Sequence, residues 1–241
     1  MPVSILFEGR RYLTNRAAIE TASHVENVLL ICKERLGESA TRYAQGGIAA
    51  ARRSDDDPAI HVEDTLRVGR GLCRKEAVEI AVRDAPRRID ELIQWGMRFD
   101  TCGDQIALTR EGGHSVPGTL DLSFSVAGLA DAKATFTSQN LLSFLIDLIT
   151  DKGKCVGAVT FHQTYGHQLI WAGETILASG GAGRVYRETS NPEIATGDGF
   201  AAAYRAGVRL ADLELVQFHP TTLYIAGANR ALISEAVRGE G

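Results

Sequence analysis

Val28-Leu29-Leu30-Ile31-Cys32 is an unbroken apolar run, and a glycine pair follows it within Ala44-Gln45-Gly46-Gly47-Ile48-Ala49-Ala50. An apolar run without alternation reads as a strand covered on both faces, and such strands belong to parallel sheets. Adjacent glycines let a backbone pass close to a bulky ligand with its N–H groups free to point at it. A buried strand that feeds such a segment has the layout of a nucleotide-cofactor site.

The neighbouring segments support the same class. Ser4-Ile5-Leu6-Phe7 reads as a short strand and residues 15–22, rich in Ala, as a helix, so the chain opens β-α-β. With 241 residues, it has room for one large α/β domain with a buried core. A polar turn, Ser54-Asp55-Asp56-Asp57-Pro58, precedes two expected helices at about residues 61–69 and 75–96. In the second, Val78, Ala81, Val82, Ala85, Ile89, Leu92 and Ile93 recur at helical spacing, and Pro86 is expected to kink it. Residues 108–115 form a polar Gly-Gly loop, and residues 116–144 have no firm period. Residues 145–150 and 155–161, joined by Asp151-Lys152-Gly153-Lys154, predict a β-hairpin. A last strand, Thr175-Ile176-Leu177-Ala178, runs into Ser179-Gly180-Gly181-Ala182-Gly183.

Charge and composition exclude several functions. A net charge of −4 with no Lys/Arg cluster argues against a nucleic-acid partner. No apolar run approaches the length of about 18 residues needed to span a membrane. The N-terminal residues lack the long apolar core of a secretory signal, so a cytoplasmic protein is expected. The four cysteines, at 32, 73, 102 and 155, include no C-x-x-C pair. No metal site is expected, and mostly buried, reduced thiols are.

Three segments carry chemistry. The Ser179–Gly183 turn places glycines at the carboxyl edge of a sheet, where α/β folds bind ligands, although a tight strand-to-loop turn would look the same. In Ala195-Thr196-Gly197-Asp198-Gly199, a helix starting near Asp198 would offer its N-terminal N–H groups to an anion. Asp198 either caps that helix or accepts from a ribose-like hydroxyl. His219, clamped by Pro220, and Ser234, Glu235 and Arg238 near the end of the chain would suit a dicarboxylate.

Together these runs resemble the L-aspartate oxidase family, within the FAD-dependent succinate dehydrogenase and fumarate reductase flavoproteins. The resemblance rests on Tyr43-Ala44-Gln45-Gly46-Gly47-Ile48-Ala49-Ala50, His61-Val62-Glu63-Asp64-Thr65-Leu66 and Thr109-Arg110-Glu111-Gly112-Gly113-His114-Ser115. It continues in Ala195-Thr196-Gly197-Asp198-Gly199 and Gln217-Phe218-His219-Pro220-Thr221, and covers roughly residues 16–115 and 145–241. It implies a Rossmann-like FAD-binding domain with a parallel central sheet and an added β-hairpin, incomplete at the C-terminus. Residues 1–218 would form that domain, with 116–144 divergent, and 219–241 would begin a substrate-capping domain.

The implied reaction is oxidation of L-aspartate to iminoaspartate, with oxygen or fumarate as acceptor. The implied setting is quinolinate and NAD synthesis, with a functional link to quinolinate synthase. Ala40 stands where the dehydrogenases carry a flavin-linking histidine, so non-covalent FAD is implied. By the same resemblance Gly9, Ala40, Thr41, Arg42, Tyr43, Ala44, Gln45, Gly46, Gly47, Ser179, Gly180 and Asp198 contact FAD. Glu111 meets the substrate amino group, and His219, Ser234 and Glu235 meet its carboxylates. The family's catalytic arginine lies beyond Gly241, so no catalytic residue is expected within this chain, and Arg238 is not that arginine.

The sequence also departs from the family pattern. Alignment on Arg16-Ala17-Ala18-Ile19 puts Gly9, Arg11 and Thr14 at the three positions of G-x-G-x-x-G, so only the first glycine remains. Weakened FAD binding and an impaired oxidase are therefore expected of this chain. The alternatives are a fumarate reductase or succinate dehydrogenase flavoprotein, disfavoured by Ala40 and the Glu111 loop, and a non-catalytic flavoprotein remnant.

Overall fold

The two opening strands are present and lie parallel, as the opening residues predict. The structure, a computed structural model, describes residues 3–8, 17–18, 20–34, 47–95, 97–110, 112–120, 141–219, 222–223 and 231–233. In chain order the first strands are β1 (Val3–Glu8), β2 (Val28–Cys32) and β3 (Ile48–Ala49). Helices α1 (Pro58–Val68) and α2 (Lys75–Gln94) follow, then β4 (Thr101–Cys102), β5 (Gln105–Ile106), β6 (Leu108–Thr109) and β7 (Thr119–Leu120). The long strands are β8 (Leu141–Asp151), β9 (Lys154–His162) and β10 (Gly166–Ala178). Helix α3 (Asp198–Arg205), β11 (Thr222–Leu223) and β12 (Ala231–Leu232) complete them. The chain divides into two compact units, Met1–Ala44 with Ala134–Ala231, and Gln45–Lys133 with Leu232–Gly241.

The first unit is built on β2. Leu30, Ile31 and Cys32 are all buried, which matches a strand covered on both faces. Their side chains alternate between two clusters. Leu30 and Cys32 pack with Ala18, in the helical residues of the crossover from β1, whereas Ile31 packs with Leu145, Ala158, Ala172 and Ala202. β1 lies parallel to β2 and also to the second half of β10. A parallel pair needs such a crossover because the chain must return to the same edge.

The predicted hairpin is present and larger than expected. β8 and β9 are antiparallel, joined through Lys152 and Gly153, both at positive φ (48° and 79°). Two such residues suit a two-residue hairpin turn, whose twist matches that of the strands. β10 adds a third antiparallel strand, because it begins at Gly166 and not near Thr175. Its first half pairs with β9 and its second half, from Ala172, with β1. β8 likewise pairs with β2 at Leu141 and Leu142 before turning to β9. The strands thus close in the order β1-β10-β9-β8-β2, a mixed sheet that contains the expected parallel strands. Gly157 permits the tight β9–β10 pairing, since a Cβ there would overlap the Ile170 carbonyl oxygen. Helix α3 is tied to β8 by Arg205, which donates to Asp147 Oδ2 (3.1 Å) and to the Ile146 carbonyl.

In the second unit, Asp57 caps α1 by accepting from the Ala59 N–H (2.7 Å), with Pro58 as the first helical residue. α2 buries Val82, Ile89 and Leu92 along one stripe. It runs from Lys75 to Gln94 through Pro86, so the proline does not end the helix. Arg52 bridges that turn, donating to Pro86 O (3.2 Å) and Asp90 Oδ1 (2.6 Å). β7 pairs with both β3 and β6, which gives the polar loop after β6 a fixed return path. Among the described residues no helix is long and apolar enough to cross a membrane.

The cysteines differ from the expectation of mostly buried thiols. All four are free, but only Cys32 is buried, Cys73 and Cys155 are half-buried and Cys102 is exposed. Cys102 sits in the β4–β5 hairpin, where both residues of β4 are exposed.

Candidate functional site

The carboxyl ends of β2 and β10 in the first unit gather one polar cluster. Lys33 directly follows the last residue of β2, so burial of that strand delivers its ammonium to the sheet edge. Its Nζ donates to Asp198 Oδ2 (2.6 Å), Thr196 Oγ1 (2.5 Å) and the Ile194 carbonyl (3.4 Å). It also lies 5.1 Å from the centre of the Phe144 ring, within cation–π range. The Thr196 hydroxyl, which accepts from Lys33, lies 2.9 and 2.8 Å from the two Asp198 oxygens and donates to them.

Asp198 does not cap α3. The N-cap is Gly197, in the left-handed region at φ 77°, with no side-chain cap bond, and Asp198 is the first helical residue. Its carboxylate is turned to Lys33 and Thr196. The sequence Thr-Gly-Asp-Gly has a steric logic here. Gly197 needs its positive φ, and a Cβ on Gly199 would overlap the Ser179 hydroxyl. The start of α3 is thereby seated against the glycine turn that follows β10. In that turn Gly180 has φ 75°, and a Cβ on Gly181 would meet nothing within 4 Å. Next to it, Arg184 Nε is buried with no hydrogen-bond partner among the described residues.

This donor set fits a dinucleotide. It combines an open glycine turn, a helix N-terminus, an ammonium, a carboxylate able to accept from hydroxyls, and a guanidinium N–H left unsatisfied. The structure sets Ser179 against the start of α3, which carries Asp198, and adds Lys33, which the sequence reading did not single out. A lysine immediately after the buried strand was the available signal. His219 is half-buried in the extended segment after α3. Gly47 is half-buried at the entry to β3, in the second unit. Gly9, Ala40, Thr41, Arg42, Tyr43, Ala44, Gln45, Gly46, Glu111, Ser234 and Glu235 lie outside the described residues, as do Arg11, Thr14 and Arg238.

The second unit holds a separate cluster around the loop that follows β6. Asp64 of α1 is 3% exposed. Its Oδ2 accepts from the Ser115 N–H (2.6 Å), and its Oδ1 accepts from Ser115 Oγ (2.6 Å) and an Arg67 guanidinium N–H (2.6 Å). The same Arg67 nitrogen donates to Gly113 O (3.3 Å). The rings of His61 and His114 meet edge to face, 5.1 Å between centres. A small cavity beside them is lined by Ala49–Ala51, Asp56, Ile60, His61, Asp64, His114, Val116 and Gly118.

Burial would raise the Asp64 carboxyl, but the hydrogen bonds from Ser115, with Arg67 and His114 nearby, outweigh it and hold it below the usual range. Burial, helped by the neighbouring His114, pushes the His61 imidazole below its ordinary value.

Comparison with known proteins places the chain in a family. The FAD binding domain family matches residues 15–241. The L-aspartate oxidase of Nostoc sp. is 44% identical over 225 residues, spanning 88% of this chain and 38% of that protein. L-aspartate oxidase 1 of Ralstonia nicotianae is 41% identical, spanning 99% of this chain and 48% of that protein. A solved E. coli quinol fumarate reductase carrying one substitution aligns with a TM-score of 0.89 at 32% identity, covering 100% of this chain and 42% of that one. The Sdh1 complex of Mycobacterium smegmatis aligns with a TM-score of 0.85 at 30% identity, covering 99% of this chain and 44% of that one. The chain spans less than half the length of these curated relatives.

Proposed function

The chain belongs to the FAD binding domain family, and from that premise we propose that it is the FAD-binding portion of an L-aspartate oxidase. The observation that carries this reading is the Lys33–Thr196–Asp198 cluster, seated beside an open glycine turn at the carboxyl edge of the sheet. Identity of 38–44% to eight L-aspartate oxidases supports the same assignment.

In this reading residues 1–218 form a partial FAD-binding domain and residues 219–241 begin a substrate-capping domain. Lys33 and Asp198 hold ribose hydroxyls of FAD, one as donor and the other as acceptor. Ser179, Gly180 and Gly181 let the backbone approach the cofactor, and Arg184 supplies a charged N–H to it. Gly9 and residues 40–47 complete the cradle. FAD is held without a covalent bond, since Ala40 has no nucleophile to offer. When bound, FAD supplies the acceptor for two electrons taken from the substrate's Cα–H bond.

The chain's own residues then bind and orient a dicarboxylate. Glu111 accepts from the amino group of L-aspartate, and His219, Ser234 and Glu235 contact its carboxylates. No residue from 1 to 241 is assigned as the proton acceptor. The product is iminoaspartate, the final acceptor is oxygen or fumarate, and the setting is cytoplasmic quinolinate and NAD synthesis, linked to quinolinate synthase.

A second reading, a fumarate reductase or succinate dehydrogenase flavoprotein, is favoured by the solved structures at TM-scores of 0.89 and 0.85. Reconstitution with FAD tests both. A visible flavin band that L-aspartate perturbs and succinate does not supports the oxidase. The reverse preference supports the dehydrogenase reading. A chain that shows no FAD binding in an equilibrium fluorescence titration refutes both and leaves a non-catalytic remnant.

A further inference from the structure

Among the described residues, the Arg184 side chain has no hydrogen bond and no ion pair. The cations near it are better served. Lys33 donates to Asp198 Oδ2, and Arg187, three residues further on, donates to Glu188 Oε1 (3.1 Å). Arg187 is 91% exposed, so water would serve it in any case. Arg184 is half-buried, and its Nε is closed to solvent. A guanidinium held partly out of water without a counter-ion costs free energy, and an unmet N–H adds to that cost. Only Nε is shut off, so the terminal nitrogens remain open to an incoming anion.

The backbone fixes this residue beside the Lys33 cluster. Gly183–Val185 form a 3-10 turn, and the Arg184 N–H donates to the Ala195 carbonyl (2.9 Å). The preceding carbonyl, that of Ile194, accepts from Lys33 Nζ (3.4 Å). One dipeptide thus holds the Lys33 ammonium and the Arg184 main chain. Gly183 belongs to the same seat, because a Cβ there would overlap the Asn191 side chain. The two cations are not equivalent. Asp198 already neutralises Lys33 at 2.6 Å, which leaves that pair suited to uncharged hydroxyls. Of the two cations tied to this dipeptide, Arg184 alone brings uncompensated charge, on a planar fork that matches the oxygens of a phosphate.

We propose that Arg184 reads the diphosphate of the dinucleotide, and so makes this edge select FAD over riboflavin, which carries no phosphate. The proposal rests on the FAD-binding reading given above and divides the work within it. Lys33 and Asp198 meet hydroxyls, and Arg184 meets charge. Riboflavin offers nothing to the guanidinium and leaves it uncompensated. A diphosphate neutralises it and replaces the water that folding removed.

Calorimetric titration of the full chain with FAD, ADP and adenosine tests this without any catalytic readout. Adenosine carries the ribose hydroxyls and no phosphate, whereas ADP carries both. Wild type should bind ADP about tenfold more tightly than adenosine, and the ADP affinity should fall as salt rises. Arg184→Met should weaken FAD and ADP about tenfold, flatten the salt dependence and leave adenosine binding as it was. Arg184→Lys, which keeps the charge and loses the fork, should recover part of the affinity. Arg184→Gln, neutral yet polar, gives the same comparison should Arg184→Met fold poorly.

Two results overturn the role of Arg184 while the FAD-binding reading stands. One is equal FAD and ADP affinity in wild type and the neutral variants. The other is a loss shared equally by ADP and adenosine, which would make Arg184 a structural residue. A wild-type chain that binds neither FAD nor ADP overturns the FAD-binding reading, and the role of Arg184 falls with it.

Discussion

Lys33 Nζ lies 2.6 Å from Asp198 Oδ2, joining the end of β2 to the first turn of α3 across 165 residues of sequence. The two side chains are 26% and 23% exposed. A pair so far out of solvent is screened less than a surface pair and holds its geometry. In the proposed FAD-binding reading it is a preformed donor–acceptor couple for hydroxyl groups, and its loss should be felt in cofactor affinity before it is felt in folding.

Replacing Lys33 by Met tests that couple. The FAD dissociation constant should rise about tenfold, or ~1.4 kcal/mol, with a smaller change for Lys33→Arg. Quenching of flavin fluorescence during titration reads it directly. Equal affinity for wild type and Lys33→Met would show that the pair is purely structural.

Glycines of the same region separate packing from ligand approach. Gly199→Ala drives a Cβ into the Ser179 hydroxyl and within 2.7 Å of its Cβ, which side-chain rotation cannot relieve. It should cost about 1–3 kcal/mol in urea unfolding, partly recovered by adding Ser179→Gly. Gly181→Ala meets nothing within 4 Å, so it should leave stability unchanged and weaken FAD binding. A Gly181→Ala chain with unaltered affinity argues that the cofactor does not approach this turn.

Acid should unfold the second unit in two steps. The folded pKa of His61 is lowered from 6.5 and that of Asp64 from 3.8. For both, the unfolded chain takes up its proton at higher pH than the folded one, so stability is present above those values and lost as pH falls through the folded pKa. The urea midpoint, followed by Trp95 emission in a Trp171→Phe background, should fall first below pH 6.5 and again below pH 3.8. His61→Gln should remove the first fall and Asp64→Asn should reduce the second, leaving the part carried by Asp55 and Asp84 on their arginine partners. A midpoint that is flat across the first window contradicts the burial argument for His61.

Thiol labelling gives an independent view of the two units. Cys102 is exposed and should react at once with a disulfide reagent, whereas Cys32, 4% exposed, should react only on unfolding of the first unit. Rapid labelling of Cys32 in the native chain would contradict the buried β2.

The readable parts of the chain were those with local causes. The unbroken apolar run of β2, the Lys152-Gly153 turn and the Thr-Gly-Asp-Gly start of α3 each carry their conformation in a few adjacent residues. β10 was read too short because Gly166 to Trp171 reads Gly-His-Gln-Leu-Ile-Trp, with no period-2 alternation to mark a strand, while Ala172 to Ala178 belongs to another pairing. Two-residue strands such as β3 and β7 carry too little pattern to be seen alone.

By itself, the sequence determined the class of fold and the glycine turns at the sheet edge, because periodicity and the freedom of glycine act over short spans. Only the tertiary structure decided which side chains meet. Nothing near Lys33 or Asp198 in the chain indicates their pairing, and Asp64 and Ser115, separated by 51 residues, look like ordinary helix and loop residues until folding joins them. Charged groups are soluble anywhere on a surface. It is burial, set by the packing of distant strands and helices, that obliges them to find one another.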